Sequence, residues 1–184
     1  MIEAKRKKFR SIDVVYIALF AVLITVCSWI SIPAVVPFTL QTFAVFCTVG
    51  FLGGKRASLS IVVYILLGVV GAPVFAGFTG GIGILFGTTG GYIFGFIFLA
   101  LTYWLITKLF GSKTVVVVIA MILGLLVLYL FGTAWFMVVY AHGTGPVGFM
   151  TALGWCVFPF IIPDLIKMVL ATVLVKRLAR YVKL

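Results

Sequence analysis

The sequence predicts an all-α membrane protein of six transmembrane helices, with both termini on the cytoplasmic side and Gly- and Pro-rich loops on the outer side. Three observations predict it. The 184 residues are 65% hydrophobic and 9% charged, with a mean hydropathy of +1.37, which leaves too few charges to cover a soluble domain. Apolar runs approaching the about 20 residues that cross hydrocarbon recur along the chain. The basic residues between those runs all fall on one face when the runs number six.

The first span covers 14–32 and is stopped by Pro33 and Pro37, which cannot continue a helix. The second, 39–52, is short and ends at Gly53-Gly54-Lys55-Arg56. The third, 57–70, ends at Gly71-Ala72-Pro73. A Gly-rich stretch then leads into the fourth, 92–110, and Gly111-Ser112-Lys113 makes the turn to the fifth, 114–140, which is long enough to tilt or project. The polar loop 141–148 precedes the sixth, 149–175, which is interrupted by Pro159 and Pro163. No polar or charged linker divides the chain, so 1–184 reads as one membrane domain.

Charge sets the orientation. Lys5, Arg6, Lys7, Lys8 and Arg10 precede span one, Lys55 and Arg56 separate spans two and three, Lys108 and Lys113 separate four and five, and Lys176, Arg177, Arg180 and Lys183 follow span six. That is 13 of the 14 basic residues on one side, which the positive-inside rule makes cytoplasmic; five or seven spans would scatter them. The net charge of +11 therefore reads as membrane orientation and not as a nucleic-acid surface. The basic N-terminus lacks a small-residue cleavage site and reads as a retained anchor flank. Cys27, Cys47 and Cys156 are odd in number, widely spaced and inside apolar runs, so neither a disulfide nor a metal cluster is expected.

Three features resist the description of a plain helical bundle. Lys167 is the one basic residue inside a span, and Asp164 lies three residues before it on the same helical face. Intramembrane charges belong in a bundle interior or polar cavity, either as a self-neutralising pair or as a ligand site. Pro163 disturbs the helix beside them, in the outer half of the span, where free carbonyls can also face a ligand. The second feature is 77–92, with seven glycines in 16 residues. Irregular backbone at this depth needs cover by protein or a wet cavity. Gly90 and Gly91 open span four, where free amides and the positive helix end can receive a carboxylate; close helix packing is the plainer reading. The third is 36–43, where Gln41 places an amide near the outer boundary, either in a site or in a solvated loop.

Other chemistries find no support. His142, the lone histidine, sits in a glycine-bearing loop without a nucleophilic partner. No carboxylate pair or metal-ligand set suits hydrolysis, and no GxxxxGK[ST] loop occurs, so an ATPase of that type is not in this chain. An ion-coupled secondary transporter using Asp164 and Lys167 is the competing reading, and a structural scaffold acting through the basic face is another.

Three blocks taken together resemble one family: Val36-Pro-Phe-Thr-Leu-Gln-Thr-Phe43; Gly71-Ala-Pro-Val-Phe-Ala-Gly77 running through Gly80-Gly-Ile-Gly83 to Thr89-Gly-Gly-Tyr92; and Pro159-Phe-Ile-Ile-Pro-Asp-Leu-Ile-Lys167. Their order and spacing resemble the BioY family, the biotin-specific S components of energy-coupling factor (ECF) vitamin transporters. Thr88 stands where the family usually has Pro, and Pro163 where it often has Gly. The resemblance implies a six-helix S component of a prokaryotic cytoplasmic membrane. It also implies a coupling protein and two cytoplasmic ATPases as partners, with biotin as ligand and no further cofactor. For such a ligand Asp164 would accept from the ureido N–H groups, and Lys167 would donate to the carbonyl or carboxylate. Gln41, Thr79 and Tyr92 would be further hydrogen-bond partners, the amides at Gly90 and Gly91 would hold the carboxylate, and Phe75 and Trp155 would cover the thioether ring. Ala18 and Ala21 on span one would dock the coupling protein, although Val22 and Thr25 make the Ala-xxx-Ala pattern imperfect.

Overall fold

A computed structural model describes residues 10–178; Lys5, Arg6, Lys7, Lys8, Arg180 and Lys183 lie outside them. Helix α1, Ser11–Trp29, starts where the Arg10 amide donates to Asp13 Oδ2 at 2.9 Å. The carboxylate thus satisfies a donor at the positive helix end. After α1 the chain forms a two-stranded antiparallel ribbon, β1 Ser31–Ile32 and β2 Phe38–Thr39, in which Ser31 faces Thr39 and Ile32 faces Phe38. Pro33 and Pro37 sit in its connection, where their missing N–H groups cost no ladder bond.

Helix α2, Gln41–Val69, consists of two helical limbs joined at a kink. A straight helix would hold Gln41 and Tyr64 about 34 Å apart, yet both line one cavity. The reversal occurs at Gly53, whose φ of 69° and ψ of 164° are open to glycine and closed to side chains. The limbs 41–52 and 54–69 are therefore the second and third spans. At the turn Arg56 Nη2 lies 2.9 Å from Asp13 Oδ1, so the start of α1 and this basic turn share one end of the molecule.

A 3-10 turn, Ala76–Phe78, and a short helix α3, Ile82–Phe86, give the Gly-rich segment its form. Helix α4 is Gly90–Phe110, and α5 is Thr114–Gly143. The last span is split into α6, Phe149–Cys156, and α7, Phe158–Leu178, at Val157 (φ −127°, ψ −57°). Pro159 falls in the first turn of α7, where a missing N–H is harmless; Pro163 lies inside it. Among the described residues five helical stretches are long and apolar enough to cross a membrane; the reversal within α2 makes six passes.

The exposure pattern is that of a protein solvated by lipid. Leu130 and Ile162 are 72% and 70% exposed, whereas Asp164 is 1% and Lys167 6% exposed. With lipid as solvent, close packing replaces apolar burial as the glue. Helices α4 and α5 pack through small residues: a Cβ on Gly91 would lie 2.3 Å from that of Trp135, and one on Gly132 2.3 Å from the ring of Tyr92.

Candidate ligand-binding site

At the end opposite the basic turn, the helices surround a partly open cavity of about 260 Å³, at the small end of ligand pockets. Its walls are mainly apolar, with Val36, Phe75, Ile93, Phe96, Leu128 and Phe160 among them. Polar groups converge at one pole. Asp164 Oδ1 accepts from Thr42 Oγ1 at 2.8 Å and from Lys167 Nζ at 2.9 Å, and Oδ2 accepts from the Tyr129 hydroxyl at 2.7 Å. The i,i+3 spacing on α7 aligns the ion pair, the first limb of α2 brings Thr42, and α5 brings Tyr129.

The proton and lone-pair count of this cluster is informative. Lys167 spends its three donors on Asp164, on Thr42 Oγ1 at 3.0 Å and on the Thr39 carbonyl at 2.7 Å, with its ammonium 4.3 Å from the Phe38 ring centroid. No donor is left for a ligand. Asp164 has three of its four acceptor positions filled, which leaves one on Oδ2. The carboxylate can therefore take one donor from a molecule in the cavity, while Lys167 holds the carboxylate and β2 in place.

The structure brings together six of the residues singled out in the sequence: Asp164, Lys167, Gln41, Thr79, Tyr92 and Phe75 all line the cavity. The Thr79 hydroxyl donates to the Ala76 carbonyl at 2.9 Å, and the Tyr92 hydroxyl shares a proton with Thr133 Oγ1 at 3.0 Å. Gly90, Gly91 and Trp155 stand apart from the lining. The Gly90 and Tyr92 amides are bonded to the Gly87 and Thr89 carbonyls. A Cβ on Gly90 would meet the Leu85 carbonyl oxygen at 1.7 Å, so the two glycines serve close packing. Trp155 meets Phe136 edge-on, with planes at 83°, and lies tilted against Tyr140, away from the lining. Of the two α1 alanines, Ala18 is exposed, but Ala21 is 1% exposed within the core. Ala21 therefore presents nothing to a partner in this conformation.

Thr42, Tyr64, Thr89, Tyr129, Cys156 and Phe160 line the cavity without having been singled out. Tyr64 and Tyr129 carried the clearest signal, a hydroxyl in the middle of an apolar span that needs a partner inside the protein.

Six apolar passes around a buried ion pair and a cavity define a multi-pass membrane protein with a pocket of small-molecule size. The whole fold matches the solved S-component for biotin from an ECF-type ABC transporter, with a TM-score of 0.81 and 24% identity, over 94% of this chain and 95% of that one. The sequence matches the BioY family over residues 4–184, and the chain belongs to that family. It is 39% identical to the biotin transporter BioY of Thermotoga maritima over 88% of this chain and 92% of that protein. It is also 39% identical to the probable biotin transporter BioY of Pyrococcus horikoshii, over 90% and 95% of the two chains.

Proposed function

We propose that this protein binds biotin in the cavity and carries it across the cytoplasmic membrane of a prokaryote as the S component of an ECF-type transporter. The observation that carries the reading is the pole at Asp164: a carboxylate with one acceptor position left, at the end of a largely apolar cavity. Biotin offers a matching set of groups. A ureido N–H meets the carboxylate, and the thioether ring and aliphatic chain lie against the apolar walls. Relatives named as biotin transporters, similar over nearly their full length, support the same reading.

A transmembrane coupling protein and two cytoplasmic ATPases complete the transporter in this reading, since the chain carries no phosphate loop of its own. Both termini lie in the cytoplasm, as the positive-inside rule requires. The ion-coupled alternative has less to stand on, because Asp164 is already engaged by Lys167, Thr42 and Tyr129. The test is titration of ligand-stripped, detergent-purified protein with biotin by calorimetry. Saturable binding, with riboflavin and thiamine silent, is the expected result. A folded sample that binds no biotin overturns the assignment.

A further inference from the structure

The cavity has a second polar pole, and it is unfinished. Gln41 is 5% exposed and Tyr64 0%, yet among the described residues Gln41 Nε2 and the Tyr64 hydroxyl have no hydrogen-bond partner. Both residues line the cavity. The Tyr64 ring is held edge-on to Phe75, with centroids 5.5 Å apart and planes at 78°. Its hydroxyl faces Gln41 and Ser28 without closing a bond of proper geometry to either. The Ser28 proton is already committed to backbone carbonyls, at 2.6 Å to Val74 and 2.7 Å to Thr25, so it does not serve Tyr64. Buried polar atoms are almost always paired, and two orphans on residues that line one cavity mark a place where a ligand atom would complete the bonding.

The chemistry of the orphans fixes the kind of atom they face. An amide Nε2 is a donor only, and a tyrosine hydroxyl can donate as well. The ligand atom between them is therefore an acceptor. Position narrows it further. Gln41 directly precedes Thr42, which holds Asp164 Oδ1 at 2.8 Å, so the two poles stand one residue apart at the start of α2. A ligand that gives an N–H to Asp164 and reaches the second pole carries an acceptor on the same part of the molecule. In a cyclic urea the carbonyl and the N–H share one carbon.

We propose that Gln41 Nε2 and the Tyr64 hydroxyl both donate to the ureido carbonyl oxygen of the ligand, while Asp164 Oδ2 accepts one ureido N–H. The assignment rests on the biotin reading above and deepens it. Lys167 cannot take this role, because its three donors are spent on the protein. Pulling on the N–H from one side and the oxygen from the other polarises the urea, so each bond strengthens the other. The pair therefore selects a urea over a ring that lacks the oxygen.

The test uses the full chain, stripped of ligand, with Tyr64→Phe and Gln41→Leu made separately. Each is titrated with biotin, with 2-iminobiotin (which lacks the carbonyl oxygen) and with biotin methyl ester. Thermal unfolding confirms that each variant is folded. The expected result is a biotin affinity lowered roughly tenfold or more in each variant. The methyl ester should fall in parallel, iminobiotin should change little, and the discrimination between urea and imine should shrink. Equal losses for biotin and iminobiotin would mean that the pair only shapes the wall. A loss for the acid that the ester escapes would mean that it holds the carboxylate. Either result overturns the proposal. If Tyr64→Phe does not fold, Gln41→Leu decides alone. A wild-type protein that binds no biotin overturns the functional reading first, and this assignment with it.

Discussion

Lys167 reaches out of α7 to the backbone of the β-ribbon, its ammonium 2.7 Å from the carbonyl oxygen of Thr39. The same ammonium pairs with Asp164, so the charge at the binding pole and the ribbon over the cavity share one side chain. Lys167→Met should release the ribbon and leave Asp164 buried without its counter-charge. Breaking a buried pair by removing one member costs about 3–5 kcal/mol. The double variant Asp164→Asn, Lys167→Met should regain much of that stability while remaining unable to bind ligand tightly. Thermal unfolding with and without biotin separates the two effects. A single variant as stable as the parent would show that the pair contributes nothing to holding the site.

Tyr129 tests the lone-pair count at Asp164. Tyr129→Phe removes the one protein donor to Oδ2 and keeps the ring. The lost hydrogen bond to a charged group is worth about 1.5–3 kcal/mol. Stability should fall by part of that amount, and calorimetry should show weaker biotin binding because the carboxylate is less firmly oriented. Unaltered affinity and stability together would show that Tyr129 does not orient it.

Close packing of α4 on α5 should be as sensitive as the polar site. In Gly132→Ala the new methyl begins 2.3 Å from Tyr92 Cε1, and Tyr92 lines the cavity. Overpacking of this kind costs about 1–3 kcal/mol. Both the unfolding temperature and biotin affinity should drop. Gly143→Ala, which has open space around its Cβ, is the control and should leave both unchanged. Equal behaviour of the two variants would remove the packing argument.

Gly53 carries the reversal between the second and third passes. Gly53→Ala has room for its methyl but not the backbone, since φ is +69° and ψ is 164°. The conformation costs about 1–3 kcal/mol for a residue with a Cβ. A lower unfolding temperature without a change in ligand selectivity is expected. A fully stable Gly53→Ala would mean that another backbone conformation makes the turn.

The six passes were legible because the exposed faces are apolar and the basic residues fall at alternate loops, both consequences of lipid as solvent. The turn at Gly53 was visible as Gly-Gly-Lys-Arg between two short runs. The ribbon 31–39 was not, because strands of two residues carry no periodicity. At the site, Asp164 and Lys167 stood out because charge in hydrocarbon is costly, and Gln41 because it follows a proline-broken entry to a helix. Gly90 and Gly91 allowed two readings, a seat for a carboxylate and close packing; Leu85 and Trp135 crowd them, which is the second. Thr42 was hidden because an isolated threonine hydroxyl in an apolar span is equally at home donating to its own helix. Only the meeting of α2, α5 and α7 tells which such hydroxyls face a cavity.

The first limb of α2 also fixes how deep the pocket lies. It has 12 residues from Gln41 to the turn at Gly53, so Gln41 stands at most about 18 Å above that turn. The hydrocarbon layer is about 30 Å thick. With Lys55 and Arg56 holding the turn at one boundary, a molecule resting on Gln41 has already descended some way below the opposite surface, about two-fifths of the crossing. Binding and the first part of translocation are then the same event, and the path still to be opened for release is shorter than the membrane is thick.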